Sequence, residues 1–85
     1  PQPNMKSDAQ LRLADCHYVA RRYDEALRNY QAVSSGVHGS RDYAWFQSAI
    51  CLGLLNETET KISYLLQFKS DFPNSLYGDD ALYAL

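Results

Sequence analysis

Ala9-Gln10-Leu11-Arg12-Leu13-Ala14-Asp15-Cys16 is answered thirty-five residues later by Ala44-Trp45-Phe46-Gln47-Ser48-Ala49-Ile50-Cys51. Moving residues 9–38 forward by that interval lays Ala9, Ala14, Cys16 and Leu27 over Ala44, Ala49, Cys51 and Ile62. Self-similarity at this period is the mark of stacked helical hairpins, each burying its apolar face against the next. From Ala44 to Ala81 the interval is thirty-seven, so the turns vary in length while the hairpin stays fixed. Stacks of this kind offer surfaces that grip other proteins, which puts a binding scaffold ahead of any catalytic reading.

Working outward, the apolar spacing places four helices and the start of a fifth. The first begins after Lys6 with Ser7 or Asp8 as N-cap, carries Leu11, Ala14, Tyr18 and Val19 on one face, and ends near Arg21. The second opens at Tyr23-Asp24-Glu25, with acidic side chains against the positive end of its dipole, and buries Ala26, Leu27, Tyr30 and Val33. Ser35-Gly36 stops it, and residues 36–40 form a turn. A third helix runs from about Asp42 with Trp45, Ala49, Leu52 and Leu55 on one face, and Asn56 marks the next turn. The fourth starts at Thr58 or Glu59, buries Ile62, Leu65, Leu66 and Phe68, and stops at Phe72-Pro73-Asn74. Asp79 or Asp80 caps a fifth, of which a turn or two remains. No strand-like alternation competes. The predicted fold is all-α: two antiparallel hairpins, at about 7–40 and 41–76, stacked in a right-handed superhelix within one domain, with a partial third hairpin at about 79–85.

Composition agrees with a folded domain. The 85 residues are 46% hydrophobic and 21% charged, with three prolines and four glycines. A chain of this length buries only about 60–65% of the surface its unfolded form exposes, so its stability is modest. A net charge of −2 supplies no basic field for phosphate backbones, which argues against a nucleic-acid partner. No apolar run approaches the roughly 20 residues that span a bilayer, so direct membrane insertion is not expected, and no signal-peptide pattern is present. The chain opens Pro1-Gln2-Pro3 without methionine and ends at Asp80-Ala81-Leu82-Tyr83-Ala84-Leu85 inside a helical pattern, which reads as an excised piece of a longer protein.

These residues resemble the tetratricopeptide repeat, in which Trp, Leu, a small residue and Tyr mark the first helix, and Ala, an aromatic and a terminal Pro mark the second. Trp45, Ala49, Leu65 and Phe72-Pro73 supply one half of the pattern. Leu13-Ala14, His17, Ala26, Tyr30 and Val33 supply the other. Small residues are required where two helices cross within about 8–10 Å. Lys61 departs from this, standing where Ala26 stands in the first hairpin; either its stem snorkels out along the groove or the fourth helix is displaced. The wording from Asp42 to Gln47, and from Phe72 to Tyr83, is similar to long multi-repeat proteins of Bacteroides-type bacteria. That likeness implies a large solenoid at the periplasm or cell envelope, engaged in protein contacts, with no catalytic residues to carry over.

In such a stack the first helices line the inner face, which here takes Asp8, Leu11, Arg12, Asp15 and Tyr18, then Tyr43, Phe46, Gln47, Ile50 and Leu54. Of these, Leu11, Arg12, Asp15, Tyr18, Tyr43, Phe46, Gln47 and Ile50 are the expected protein-binding residues. Tyr18, Tyr43 and Phe46 offer the rigid aromatic area on which interface hot spots are built, unless neighbouring repeats or helix tails cover them. Some relatives hold a chaperone's terminal carboxylate with lysines and asparagines on this face; Leu11 and Asp15 occupy two of those places, and an aspartate repels the group it would have to hold.

Cys16 and Cys51 recur at the same place on successive first helices, at a separation too large for a disulfide, and read as small buried residues. Asp15-Cys16-His17 are adjacent on a helix and point about 100° apart, so they converge on no metal ion and form no nucleophile-base pair. His38 lies in a distant turn, and His17 reads as packing. The pairs Asp24-Glu25, Glu57-Glu59 and Asp79-Asp80 suit helix starts, and no calcium-loop pattern accompanies them. The expectation is therefore a protein–protein interaction scaffold without enzymatic activity, cofactor or metal. A structural spacer, or the regulatory domain of a larger enzyme, are the alternatives. An uncapped apolar end along the fourth helix and Ala81-Leu82-Tyr83 further predicts either self-association, as a consequence of the truncation, or a rearranged C-terminal segment.

Overall fold

The computed structural model describes residues 3–36 and 41–78. Four helices follow in order: α1 (Pro3–Val19), α2 (Tyr23–Ser34), α3 (Arg41–Leu54) and α4 (Thr58–Asp71). Each packs on the next, α1 on α2, α2 on α3 and α3 on α4, so two hairpins stack along the chain. The described residues contain no strand. The expected turn at 37–40 and fifth helix at 79–85 lie outside the described residues, as does His38.

Helix α1 starts earlier than its apolar pattern implies, at Pro3, and the expected N-caps Ser7 and Asp8 lie inside it. Proline suits a first helical turn, because its fixed φ is helical and the N–H it lacks has no partner there anyway. The downstream ends are the more instructive. Arg21 and Asn56 both adopt left-handed backbone, at φ 64° and 66°. The N–H of Arg22 bonds the His17 carbonyl at 2.8 Å, and the N–H of Glu57 bonds the Leu52 carbonyl, also at 2.8 Å. This closing loop satisfies the terminal carbonyls and turns the chain into the next helix. It falls thirty-five residues apart in the two hairpins, so the repeat includes a backbone device as well as side chains.

Asparagine tolerates left-handed backbone, whereas arginine there carries a steric cost of about 1 kcal/mol. Arg21 is exposed, so Arg21→Gly is expected to raise stability by roughly 0.5–1 kcal/mol in urea unfolding. A loss of stability in that variant would show that the arginine side chain has a compensating role.

The core has two parts. Leu11, Ala14, Ala26, Tyr30 and Val33 of the first hairpin close with Ala44 and Cys51 of α3, and Tyr18, Leu27 and Tyr43 pack around them. This cluster is what joins one hairpin to the next. Ala49, Leu65 and Phe68 form the second, flanked by Trp45, Phe46, Tyr64, Phe72 and Tyr77. Trp45 also donates its indole N–H to the Tyr64 carbonyl at 2.7 Å, fixing α3 against α4.

Ala14 and Ala26 are fully buried, as a close crossing of α1 and α2 demands. In the second hairpin the lysine stem solves the same problem in reverse. A Cβ added at Gly53 would lie 2.9 Å from Lys61 Cδ, so the lysine chain lies along the bare backbone of that glycine. Gly53 is the counterpart of Tyr18, and Lys61 the counterpart of Ala26, thirty-five residues on. Large and small have exchanged helices, and α4 packs on α3 with the lysine half-buried.

Several expected core positions are corrected. Val19 is 81% exposed, Leu66 55% and Ile62 38%. Val19 is the last residue of α1, where the chain turns away. Ile62 and Leu66 lie on the side of α4 turned from the second core cluster. After α4 the chain folds back: the Ser75 hydroxyl donates to the Asp42 carboxylate at 2.8 Å at the start of α3. Arg41 donates to the Ser34 carbonyl at 2.8 Å and holds its guanidinium 5.6 Å from the Phe72 ring centre. The ends of α2, α3 and α4 are thereby tied together.

Candidate functional site

The residues expected to form one open inner face divide into three groups. Asp8 and Arg12 are exposed on α1, and Leu54 is 47% exposed at the end of α3. Leu11, by contrast, is 9% exposed and belongs to the first core cluster. Its place on α1 faces α2, so it offers no surface. The remaining six, Asp15, Tyr18, Tyr43, Phe46, Gln47 and Ile50, are half-buried.

Asp15 organises the centre of this group. One of its carboxylate oxygens accepts hydrogen bonds from the Tyr30 hydroxyl and from the Tyr43 hydroxyl, the latter at 2.9 Å. These three residues come from α1, α2 and α3, so one carboxylate links the first hairpin to the second. Gln47 Nε2 reaches the Tyr30 hydroxyl at 3.5 Å. The rings of Tyr30 and Tyr43 meet edge to face at 6.1 Å. Tyr18 stands edge-on to Tyr23 at 5.6 Å. Phe46 lies nearly parallel to Tyr77, 5.6 Å away with planes 15° apart, and Tyr43 touches the same ring at 5.6 Å. The segment following α4 therefore rests on part of the aromatic surface of α3.

Burial and this carboxylate shape the titration of the neighbouring hydroxyls. Tyr30 is raised well above its ordinary value of 10.0, first by burial and then by donating to Asp15, and Tyr43 is raised for the same two reasons. Tyr18 is raised by burial, then by the Cys51 thiol and Tyr23. Burial alone pushes the Cys51 thiol from 9.0 up to about 11. In each case the fold favours the protonated form. The resulting stability is complete below the unfolded values and is lost as pH rises through the folded ones. Thermal unfolding is therefore expected to be flat from pH 7 to about 9 and to fall steeply beyond, with Cys51 acting first and the tyrosines from pH 10 upward. A melting temperature unchanged to pH 11 would contradict this.

Cys16 and Cys51 are both free thiols. They are not equivalent in burial: Cys51 is sealed in the first core cluster, whereas Cys16 is exposed, a correction to the expectation that both are buried. Among the described residues α3 has the first hairpin stacked on its cysteine, and α1 has no helix on the matching side. His17 turns toward α2, its Nδ1 3.5 Å from the Glu25 carboxylate, where it ties the hairpin together when protonated. Among the described residues no three His, Cys, Asp or Glu side chains gather as metal ligands, and no helix is long and apolar enough to cross a membrane.

The Asp15 node was not legible in the sequence. Tyr30 and Tyr43 are polar-tipped members of two different apolar stripes, and pairing both with one acid needs the relative rotation of three helices. Its only trace is an acidic residue between the buried Leu11 and Ala14 and the half-buried Tyr18.

A sequence profile of the tetratricopeptide repeat matches residues 8–35 and 43–75. The boundaries of the two matches coincide closely with the two hairpins. No curated protein matches the chain, and no solved structure does.

Proposed function

The chain belongs to the tetratricopeptide repeat family, whose repeats mediate protein–protein interaction, and on that footing we propose that its α1–α3 face binds a segment of another protein. The chain acts as a non-catalytic scaffold within a longer repeat protein. The observation that carries this reading is the half-buried Tyr43, held in place by Asp15. Tyr43 is fixed through its hydroxyl and through two ring contacts, yet retains exposed surface. Side chains already immobilised lose little conformational freedom on binding, which is what makes aromatic anchors effective. Around them Arg12, Ile50 and Leu54 add a cation and aliphatic surface.

Asp15 does not serve as a direct anchor for a partner's cation in this reading, because its carboxylate already accepts from two hydroxyls. A chaperone-type carboxylate clamp is likewise disfavoured, since Leu11 is in the core and Asp15 is acidic.

Phe46 is unsuited to a test, because truncating it removes contacts to Phe68 and Tyr77. The paired change Arg12→Glu with Leu54→Glu alters only exposed side chains. Peptides selected from a random display library on the wild-type chain are expected to lose at least about tenfold in affinity for this variant, at unchanged helicity. Equal binding to both proteins would move the site elsewhere. A second reading, a spacer that shapes a longer solenoid, is favoured by the contact of Tyr77 with Tyr43 and Phe46. Failure to select any peptide would support it.

A further inference from the structure

Tyr43, Gln47, Ile50 and Leu54 follow one another at intervals of four, three and four, a single stripe along α3. Gly53 lies three residues after Ile50 and beside Leu54, so it belongs to the same face at its C-terminal end. There a side chain from another helix crosses it. A Cβ added at Gly53 would lie 2.9 Å from Lys61 Cδ, 3.3 Å from Cε and 3.4 Å from Nζ. The outer half of the lysine is therefore laid along α3, and α4 delivers an ammonium to the end of the stripe.

Nothing in the fold uses that charge. A cation at the end of a helix commonly serves the last carbonyls, but here the closing loop has taken them. The carbonyls of Cys51, Leu52 and Gly53 accept from the N–H groups of Leu55 at 2.9 Å, Glu57 at 2.8 Å and Asn56 at 3.1 Å. Among the described residues the one ion pair joins His17 to Glu25, so no carboxylate there neutralises Lys61, not even Glu57 one turn earlier on α4. Asp15, the acid in the middle of the face, already accepts from two hydroxyls. No buried side-chain nitrogen among the described residues lacks a partner, so this ammonium is one that reaches the surface. Its stem, held against bare backbone, has already given up much of the freedom that an ordinary lysine loses on binding.

We propose that the Lys61 ammonium receives a side-chain carboxylate of the segment bound on the α1–α3 face, so that the partner carries an aspartate or glutamate beside an aliphatic residue. The proposal rests on the peptide-binding reading of that face and names the chemistry of its partner. Ile50 and the 47% exposed Leu54 supply apolar surface next to the charge for the aliphatic residue. A single point-like donor with aliphatic neighbours suits an acidic side chain on a peptide that continues past it. A chain-terminal carboxylate is better met by several donors converging on both of its oxygens.

Peptides selected on the wild-type chain from a random display library, then synthesised with both ends blocked and titrated by fluorescence anisotropy, test this. They are expected to share an Asp or Glu next to a Leu, Ile or Val. Replacing that acid by its amide, and Lys61→Met in the protein, are each expected to weaken binding at least about fivefold, and hardly further when combined. Methionine keeps an unbranched stem along Gly53, and circular dichroism checks that helicity is unchanged. Lys61→Glu is expected to reverse the preference, taking the peptide with Lys in place of its acid better than the acidic one. The comparison of acid with amide on the wild-type chain needs no variant, so a misfolded mutant does not remove the test. Peptides that lose affinity for the Arg12→Glu, Leu54→Glu protein yet tolerate loss of their own acid would overturn this proposal and leave the binding face standing. Peptides that bind only with a free C-terminus would assign the ammonium to a chain end and overturn it as well. If no peptide is selected, or if those selected ignore Arg12 and Leu54, the face itself falls and the proposal with it.

Discussion

Phe68→Ala is expected to abolish the folded state or bring its urea midpoint below half the wild-type value. Phe68 is fully buried, lies 5.4 Å from Phe72 and 6.2 Å from Phe46 between ring centres, and closes the second core cluster with Ala49 and Leu65. Removing a buried phenyl ring costs about 3–5 kcal/mol, the lost transfer energy plus the cavity left behind. A domain of 85 residues has a total stability of roughly 4–13 kcal/mol at typical values per residue. The loss is therefore comparable with the whole. The cluster also holds Phe72, and through it Arg41 and the returning segment, so the surroundings cannot close over the hole without giving up those contacts. Circular dichroism during urea unfolding measures this, and a cost below about 1 kcal/mol would mean the second hairpin repacks freely.

Asp15→Leu is expected to be the second most damaging single change on the described face, by about 2–4 kcal/mol. The substitution leaves the hydroxyls of Tyr30 and Tyr43 without their acceptor, and a buried hydroxyl left unpaired costs about 1–3 kcal/mol. Tyr30 is 0% exposed and has only a long contact to Gln47 in reserve. The mechanism makes a distinctive forecast. In the Asp15→Leu background, Tyr30→Phe removes the orphaned hydroxyl and restores part of the stability, whereas in the wild type the same Tyr30→Phe is destabilising. A double-mutant cycle with a coupling energy of about 1 kcal/mol or more is the expected result, and strict additivity would show that the three groups do not act together. Because the node joins α1, α2 and α3, its loss also loosens the seam between hairpins. Tyr43 on the proposed binding face is then freed, so peptide affinity is expected to fall along with stability.

Helix count, order and approximate bounds were legible because each hairpin is written in local chemistry. Tyr23-Asp24-Glu25 opens α2 where the acidic residues say it opens, and Phe72-Pro73 ends α4 where proline must end it. Ala14, Ala26, Tyr30, Val33, Leu52, Leu65 and Phe68 are buried as their spacing requires. The errors fall where a residue's neighbour belongs to another hairpin. Cys16 and Cys51 have the same sequence context and opposite burial, because burial of that position comes from the hairpin stacked upon it. Val19, Ile62 and Leu66 fit their helical stripes and are nonetheless exposed, Val19 where α1 ends and the other two on the side of α4 turned from the second core cluster. At Arg21 the left-handed backbone went unread, since arginine lacks the signal a glycine would have given.

The sequence by itself determined the unit of this protein: a hairpin of two amphipathic helices, its period of thirty-five and the small residues at its crossing. Periodicity and capping act over a few residues, so they are visible in one dimension. Tertiary structure alone decided what joins the units. The Asp15 carboxylate accepting from two tyrosines of other helices, the Lys61 stem laid along Gly53, and the return of Ser75 to Asp42 all depend on how one helix is rotated against another. That rotation follows from packing summed over whole faces, and no short stretch of sequence encodes it.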